Sequence, residues 1–314
     1  MATIVSLKEL SKKEDLFVSG HRMCAGCGAP IIVKMVLLAS EYPLVAANAT
    51  GCLEVSSCIS EFTSWKIPWI HNAFENAAAT ISGVETMFRS LKKQGKIDKD
   101  LKFIAFGGDG GTYDIGFQSL SGAMERGHDM LYICYDNGAY MNTGIQRSSA
   151  TPFGADTTTC PSGDVIPGKL QERKDITKII AAHGVPYVAQ ASPSHWADLV
   201  KKVKKALEIK GPKFMNILSP CNRGWRSRTD DAILLSRIAV ETCYWPLFEI
   251  ENGITRITMK PKVNKPVVDF LKPQGRFKHM FNPGNEWMLQ QAQEGVDRYW
   301  QKLLKEEQNS APSE

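Results

Sequence analysis

The chain has no apolar run approaching the roughly 18 residues that a membrane-spanning helix needs. Its charged N-terminus, MATIVSLKELSKKEDLF, has no apolar core of the kind an export signal carries. A membrane protein is thereby excluded and a cytoplasmic location expected. Charge of one sign is not in strong excess either. The 38 Lys and Arg stand against 33 Asp and Glu, a net charge of +5, too mild and too scattered to imply a nucleic-acid partner. The densest basic run, Lys201 to Lys205, falls in a helical pattern and reads as a solvated face. No internal repeat is present. Disulfide-rich spacing is missing as well: eight cysteines in 314 residues, without an export signal, point to thiols or metal ligands. Only one C-x-x-C pair occurs, Cys24 and Cys27 within GHRMCAGCG. With no second pair, a zinc clip, a redox disulfide and part of an iron–sulfur site all remain open, and the other cysteines must decide.

What is there is an ordinary globular composition, 43% hydrophobic and 23% charged, on a chain long enough for a large core. Five short β-branched or apolar runs read as buried strands: residues 44–48, 101–106, 130–135, 186–190 and 213–218. Helical patterns lie between them, the clearest over 73–94, then 115–126 and 194–209. The first of these is alanine-rich, gathers Arg89, Lys92 and Lys93 near its end and stops at Gly95. Alternating strand and helix predicts an α/β fold with a doubly wound, mainly parallel sheet, whose ligands bind at the carboxyl ends of the strands. From about residue 245 proline and charge rise, which predicts an extended arm, then a final amphipathic helix over about 286–305 and a disordered tail, EEQNSAPSE. The expected division is 1–244 for the cofactor-binding domain and 245–314 for a C-terminal arm and helix.

The unusual residues fall in the loops after the first, second, third and fifth strands: ATGCLEVSSC, GGDGGTYDIG, DNGAYMNTGIQRSS and SPCNRGW. The second of these follows a strand and opens a helix. Its glycines let backbone approach a phosphate, and the helix N-terminus favours an anion. Asp109, between glycines, is expected to be exposed and able to hold a divalent cation. The next loop brings Asn137 to the end of what should be the adjacent strand. An Asp oxygen, an Asn oxygen, a backbone carbonyl and two phosphate oxygens suit octahedral Mg²⁺. This spacing resembles the thiamine diphosphate signature, a GDG followed some thirty residues on by an Asn. That resemblance implies that Asp109, Asn137 and the carbonyl of Ala139 hold Mg²⁺ while Gly108, Gly110 and Gly111 line the diphosphate.

Cys24, Cys27, Cys52 and Cys221 all fall near the expected ligand end of the sheet. A cubane cluster needs four converging thiolates, which segments distant in sequence can supply. Zinc accepts four cysteines too. Structural zinc usually clips small loops with paired ligands, however, and here the last cysteine lies about 170 residues beyond the third. Cys134 sits inside a predicted strand and reads as a core thiol. Cys58, Cys160 and Cys243 read as structural.

Taken together, GHRMCAGCGAP, NATGCLEVSS, PWIHNAFENAAATISGVE, the long run from GGDGGTYDIG to RSSATPFGA, KDITKIIAAHGVPYVA, KKALEIKGPKF and AVETCYWPLFEIENG resemble the β subunit of a 2-oxoacid:ferredoxin oxidoreductase, nearest the pyruvate branch. The likeness spans about residues 18–285. It implies that Cys24, Cys27, Cys52 and Cys221 bind a 4Fe–4S cluster beside the thiamine. It also implies that the Gly51–Cys52 turn and the segment Asn137, Ala139, Tyr140, Met141, Asn142 and Thr143 surround the cofactor. Asn142 is then a candidate to hydrogen-bond substrate or adduct. The cofactor's aminopyrimidine needs a carboxylate, and Glu54, Glu61 and Glu75 each read as helix surface or helix start. The family draws that Glu from a separate α chain. Further implied partners are a subunit or domain with ferredoxin-like clusters, ferredoxin itself and, for pyruvate, coenzyme A.

Substrate choice stays open between pyruvate and oxalate. The stretch before Trp65 is CISEFTSW, without the Pro and Tyr common in pyruvate enzymes of the family. After Cys221 stands NRGW rather than PTGW, and the cation of Arg223 suits a dianionic acid oxidised without coenzyme A. A non-redox thiamine enzyme and a zinc-stabilised binding or scaffold protein are the competing classes. The cysteines argue against the first, which an iron assay decides, and an absorbance shoulder near roughly 400 nm that bleaches with dithionite excludes the second.

Overall fold

A computed structural model describes residues 6–59 and 61–310 of the chain. Its main sheet has eight strands: β1 (Leu44–Ala49), β2 (Trp69–Asn72), β3 (Lys102–Gly108), β4 (Leu131–Asp136), β5 (Tyr187–Ala191), β6 (Lys213–Leu218), β7 (Leu247–Glu251) and β8 (Ile254–Met259). Their order is β8-β7-β5-β6-β4-β3-β1-β2. The six strands from β5 to β2 run parallel, and β7 and β8 add antiparallel. The five apolar runs read from sequence are β1, β3, β4, β5 and β6. They are legible because a strand covered on both faces by helices carries apolar residues almost without interruption.

The helices that bear on the site and core are α1 (Gly28–Ala39), α2 (Cys52–Ser57), α3 (Ala77–Lys93), α4 (Phe117–Glu125), α5 (Trp196–Glu208), α6 (Asn222–Trp225) and α7 (Glu286–Ser310), with others between. Strand alternation sorts the core into two layers. Leu131, Ile133 and Tyr135 of β4 pack with α1 and α5 through Val36 and Val203. Tyr132 and Cys134 face the other way, toward Ile81 of α3 and Leu120 of α4. Cys134 is a buried core thiol.

Three strands are not among those read from sequence. β2 is a short edge strand with a half-exposed pattern. The other two correct the expectation of an extended arm from residue 245. Residues 247–259 form a hairpin turned at Asn252 and Gly253, whose φ values of 49° and 83° are those a tight primed turn requires. β7 pairs with β5, so the sheet runs on past residue 244. Helix α7 extends to Ser310, so residues 306–310 of the supposed disordered tail are helical, and 311–314 lie outside the described residues. Trp300 and Leu303 of α7 are buried in the core, and Glu307 accepts the backbone N–H of Ile257 at 2.7 Å. No helix among the described residues is long and apolar enough to cross a membrane.

Candidate cofactor and metal site

Strands β6, β4, β3 and β1 are consecutive neighbours in the parallel part of the sheet. Their following loops therefore open side by side at one end. A narrow cleft there is lined by Thr50, Gly51, Cys52 and Phe74, by Gly108 to Gly111, and by Tyr135, Asn137 and Ala139 to Asn142. After β3 the chain does not pass directly into a regular helix. Residues Gly110–Ile115 form one widened π turn ahead of α4, a distortion that often marks functional sites. Gly110 has to be glycine, because a Cβ there would stand 2.2 Å from the ring of Tyr140.

Asp109 is fully buried, which corrects the expectation that it is exposed. The flanking loops close over it, and Ser148 donates to its Oδ2 at 2.5 Å. Burial, then the nearby charge of Asp136, pushes its carboxyl up to about 8. The backbone N–H of Asn137 donates to Asp109 Oδ1 at 3.3 Å. The Asn137 amide oxygen lies 2.8 Å from the carbonyl oxygen of Ala139 and 2.9 Å from Asp109 Oδ1. In that orientation the amide oxygen meets two other acceptors, while the Ala139 backbone N–H donates to it at 3.4 Å. Either the amide turns its NH₂ inward or a cation sits between them. A small hard cation with ligands at about 2.1 Å sets neighbouring octahedral oxygens about 2.9 Å apart, so the residues fit Mg²⁺.

The neighbouring residue behaves oppositely. Asp136, on the other face of β4, is held by the guanidinium of Arg173 and accepts from Tyr113 Oη at 2.5 Å. Asn216 donates to Tyr113 at 2.8 Å, and the Trp245 ring lies 4.7 Å from Arg173. The backbone N–H of Gly138 donates to Asp136 Oδ1 at 3.1 Å, and Gly138 has φ 79°, which makes the sharp turn that aims Asn137 back at Asp109. A cavity of about 330 Å³ borders this knot beneath α7, and none of the sequence-derived candidates lines it.

The four singled-out cysteines come to the same end of the sheet. Cys27 caps α1, Cys52 begins α2 and Cys221 caps α6, so three of them stand at helix N-termini. The thiols of Cys24, Cys27 and Cys221 each add repulsion against ionisation of Cys52, and burial pushes Cys27 and Cys52 up to about 12. Burial also raises Cys221, offset in part by the backbone N–H groups of Gly224 and Arg223; the Gly224 N–H reaches its sulfur at 3.4 Å. Among the described residues no three His, Cys, Asp or Glu side chains are gathered closely enough to hold a single metal ion. Cys58 and Cys160 are part-exposed and Cys243 is buried.

Other candidates are distributed unevenly. Asn142 is exposed at the cleft, whereas Thr143 is not among its lining residues and donates instead to Gln146 Oε1 at 2.5 Å. Glu54 is not helix surface. It is buried and bonded to His71 Nδ1 at 2.6 Å. Neither it nor Glu61 or Glu75 lines the cleft. Arg223 is exposed and also outside the lining. Sequence reasoning missed Ser148, Phe74, Tyr135 and Trp225, whose indole N–H donates to the Asn137 carbonyl at 2.7 Å and ties the Cys221 loop to the Asp109 loop. No motif marks them, since each is defined by what folds against it.

Comparison with known proteins bears on the family and the fold. The family described as thiamine pyrophosphate enzyme, C-terminal TPP binding domain, matches residues 49–217. Pyruvate synthase subunit PorB of Thermotoga maritima is 54% identical, over 95% of this chain and 94% of its own. The PorB of Methanocaldococcus jannaschii is 57% identical over 85% of this chain and 91% of its own. Ketoisovalerate oxidoreductase subunit VorB of Pyrococcus abyssi is 42% identical over 93% of each chain. A solved 2-oxoglutarate:ferredoxin oxidoreductase from Magnetococcus marinus shares the fold, with a TM-score of 0.55 and 21% identity over 71% of this chain and 79% of its own.

Proposed function

The chain belongs to the β subunits of the 2-oxoacid:ferredoxin oxidoreductases, and we propose that it supplies the diphosphate wall, the Mg²⁺ ligands and one 4Fe–4S cluster of a pyruvate-oxidising complex. It is an oxidoreductase subunit with a thiamine diphosphate-binding domain, and its relatives work with other subunits and ferredoxin. The observation that carries the metal assignment is the convergence of the Asn137 side-chain amide on the Ala139 carbonyl and Asp109 Oδ1, at 2.8 and 2.9 Å. Asp109, Asn137 and Ala139 would hold Mg²⁺, which would neutralise diphosphate charge, and Gly108, Gly110 and Gly111 would line the diphosphate. Bound thiamine diphosphate supplies the decarboxylation chemistry itself. The residues of this chain hold its diphosphate end, and Asn142, at the mouth, bonds the substrate.

The four cysteines form the cluster site. Zinc binds sulfur at about 2.3 Å, which brings tetrahedral ligands to within about 4 Å of one another. A cubane, with its own iron and sulfide core, holds its thiolates farther apart. Four cysteines from separate loops, brought to one end of the sheet, suit that larger group. Backbone N–H groups at the helix N-termini of Cys27 and Cys221 offset part of the burial that holds those thiols neutral. This agrees with electron transfer to ferredoxin and argues against the zinc and non-redox readings.

The site is completed by partners. The cleft within this chain holds only about 20 Å³, room for a water rather than a cofactor, and no glutamate lines it. An α chain therefore closes it and brings the aminopyrimidine Glu. The exposed Val263 and Trp287 of the C-terminal segment suit contact with partner subunits, and onward electrons pass to a ferredoxin-like cluster subunit in the cytoplasm. Pyruvate with coenzyme A, giving acetyl-CoA and CO₂, is the reading the relatives favour. The position of Arg223, exposed and outside the cleft, lends no support to oxalate.

The deciding experiment uses the anaerobically purified complex and a viologen acceptor, with a panel of 2-oxoacids and oxalate, with and without coenzyme A. Dye reduction with pyruvate that depends on coenzyme A is expected. Reduction with oxalate alone, independent of coenzyme A, overturns the substrate assignment. A Cys27→Ser complex should still release about one CO₂ per site but fail to reduce the dye. Normal dye reduction by a variant lacking the cluster makes the cysteine pair merely structural.

A further inference from the structure

Among the side chains that line the cleft, Tyr135 carries a buried polar group without a partner. Its side chain is 2% exposed, and among the described residues its hydroxyl has no hydrogen-bond partner. An unpartnered buried hydroxyl costs on the order of 1–3 kcal/mol, and a phenylalanine would fill the same space without that cost. Tyr135 lies on the α1 and α5 face of β4, one residue before the self-satisfied Asp136 and two before the metal-facing Asn137.

Its position is set by two glycines from two loops. A Cβ at Gly51 would stand 2.9 Å from the Tyr135 hydroxyl, and one at Gly108 would lie 3.4–3.5 Å from the ring. The phenol therefore passes the Asp109 loop with its ring edge and ends against the backbone immediately before Cys52. Any side chain at Gly51 would displace that hydroxyl. Cys52 lines the same cleft. A phenol is a good O–H donor at neutral pH, a neutral thiol is a weak acceptor, and a cluster-bound thiolate is a strong one.

We propose that Tyr135 is a positioning residue whose hydroxyl donates to Cys52 Sγ when the cluster is bound, linking the diphosphate wall to the electron acceptor and raising the cluster's reduction potential. The proposal rests on the cluster reading above. Hydrogen bonds to cluster sulfurs are a principal means by which a protein sets that potential. Since the ring also borders Gly108, movement of the Asp109 loop on cofactor binding would be felt at the cluster through one rigid side chain.

The test is an EPR-monitored redox titration of the whole complex, wild type against Tyr135→Phe, with iron content and thiamine diphosphate affinity measured in parallel. The relevant cluster is identified as the one lost in Cys27→Ser. Expected for Tyr135→Phe is full iron, a cofactor Kd within about twofold of wild type, and a reduction equilibrium about tenfold less favourable, or ~59 mV more negative for a one-electron couple. Gly51→Ala, which crowds the hydroxyl without removing it, should shift the same cluster in the same direction. An unchanged potential in Tyr135→Phe overturns the proposal, with a weakened cofactor Kd reassigning the hydroxyl to the diphosphate. Loss of iron in Tyr135→Phe overturns it as well, by making the hydroxyl a requirement for assembly. If instead Cys27→Ser removes no cluster from the complex, the cluster reading itself has failed.

Discussion

Asp109 and Asp136 are buried carboxylates at the ends of adjacent strands, and their surroundings differ in one respect. Asp136 is met on every side by donors: Arg173, Tyr113, Asn216 and the Gly138 backbone N–H. Asp109 has donors from Ser148 and the Asn137 backbone, and its Oδ1 also meets the Asn137 side-chain amide at 2.9 Å. A buried charge whose partners all lie within the chain is compensated there, so that removing one partner is costly, whereas Asp109 is the carboxylate proposed above to meet a cation. The three consecutive residues Tyr135, Asp136 and Asn137 alternate between these conditions.

The largest effect that can break this contrast is at Asp109. Asp109→Ala should abolish thiamine diphosphate binding, a loss of at least 100-fold in affinity by calorimetry on the complex, while iron content stays at the wild-type level. Normal cofactor affinity would remove the metal assignment. Next in size is the cysteine set. Cys24→Ser, Cys27→Ser, Cys52→Ser and Cys221→Ser should each cost the complex about one cluster's iron, whereas Cys58→Ser, Cys134→Ser, Cys160→Ser and Cys243→Ser should cost none. A fully iron-loaded Cys221→Ser protein would release the most distant ligand from the set.

On the self-satisfied side, Arg173→Met strands Asp136 and should lower unfolding stability by about 3–5 kcal/mol. The double change with Asp136→Leu should recover most of that in thermal denaturation. If the single change is silent, the knot is not structural and the contrast fails. The smallest expected effect sharpens the comparison. Ser148→Ala removes one donor to Asp109 and should weaken cofactor binding by about tenfold, ~1.4 kcal/mol, without changing iron content.

Much of the fold was legible because its signals are local. Five of the eight strands announced themselves as short continuous apolar runs, and α3 ended near the glycine that a helix stop favours. The missed β2 is short and half-exposed, so it carries neither a continuous run nor a clean alternation. The missed β7–β8 hairpin does carry an Asn-Gly turn signal, which was outweighed by the proline-rich stretch that follows it. Part of the candidate site was legible for the same reason. GDG, DNG and the C-x-x-C pair are short stretches whose chemistry shows in residue type and spacing.

By itself the sequence determined the α/β alternation, the loops that carry chemistry, and the four cysteines and two metal-facing side chains worth testing. Tertiary structure alone decided that Asp109 is buried rather than exposed, that the Asn137 amide converges on Asp109 and Ala139, and that Thr143 does not line the cleft. It decided too that the sheet continues through residues 247–259, and that Ser148, Trp225 and Tyr135 stand at the site from 39, 116 and 26 residues beyond Asp109. The reason is physical. Propensity and periodicity are properties of neighbouring residues, whereas burial, hydrogen-bond satisfaction and the meeting of oxygens depend on which distant segments pack against them.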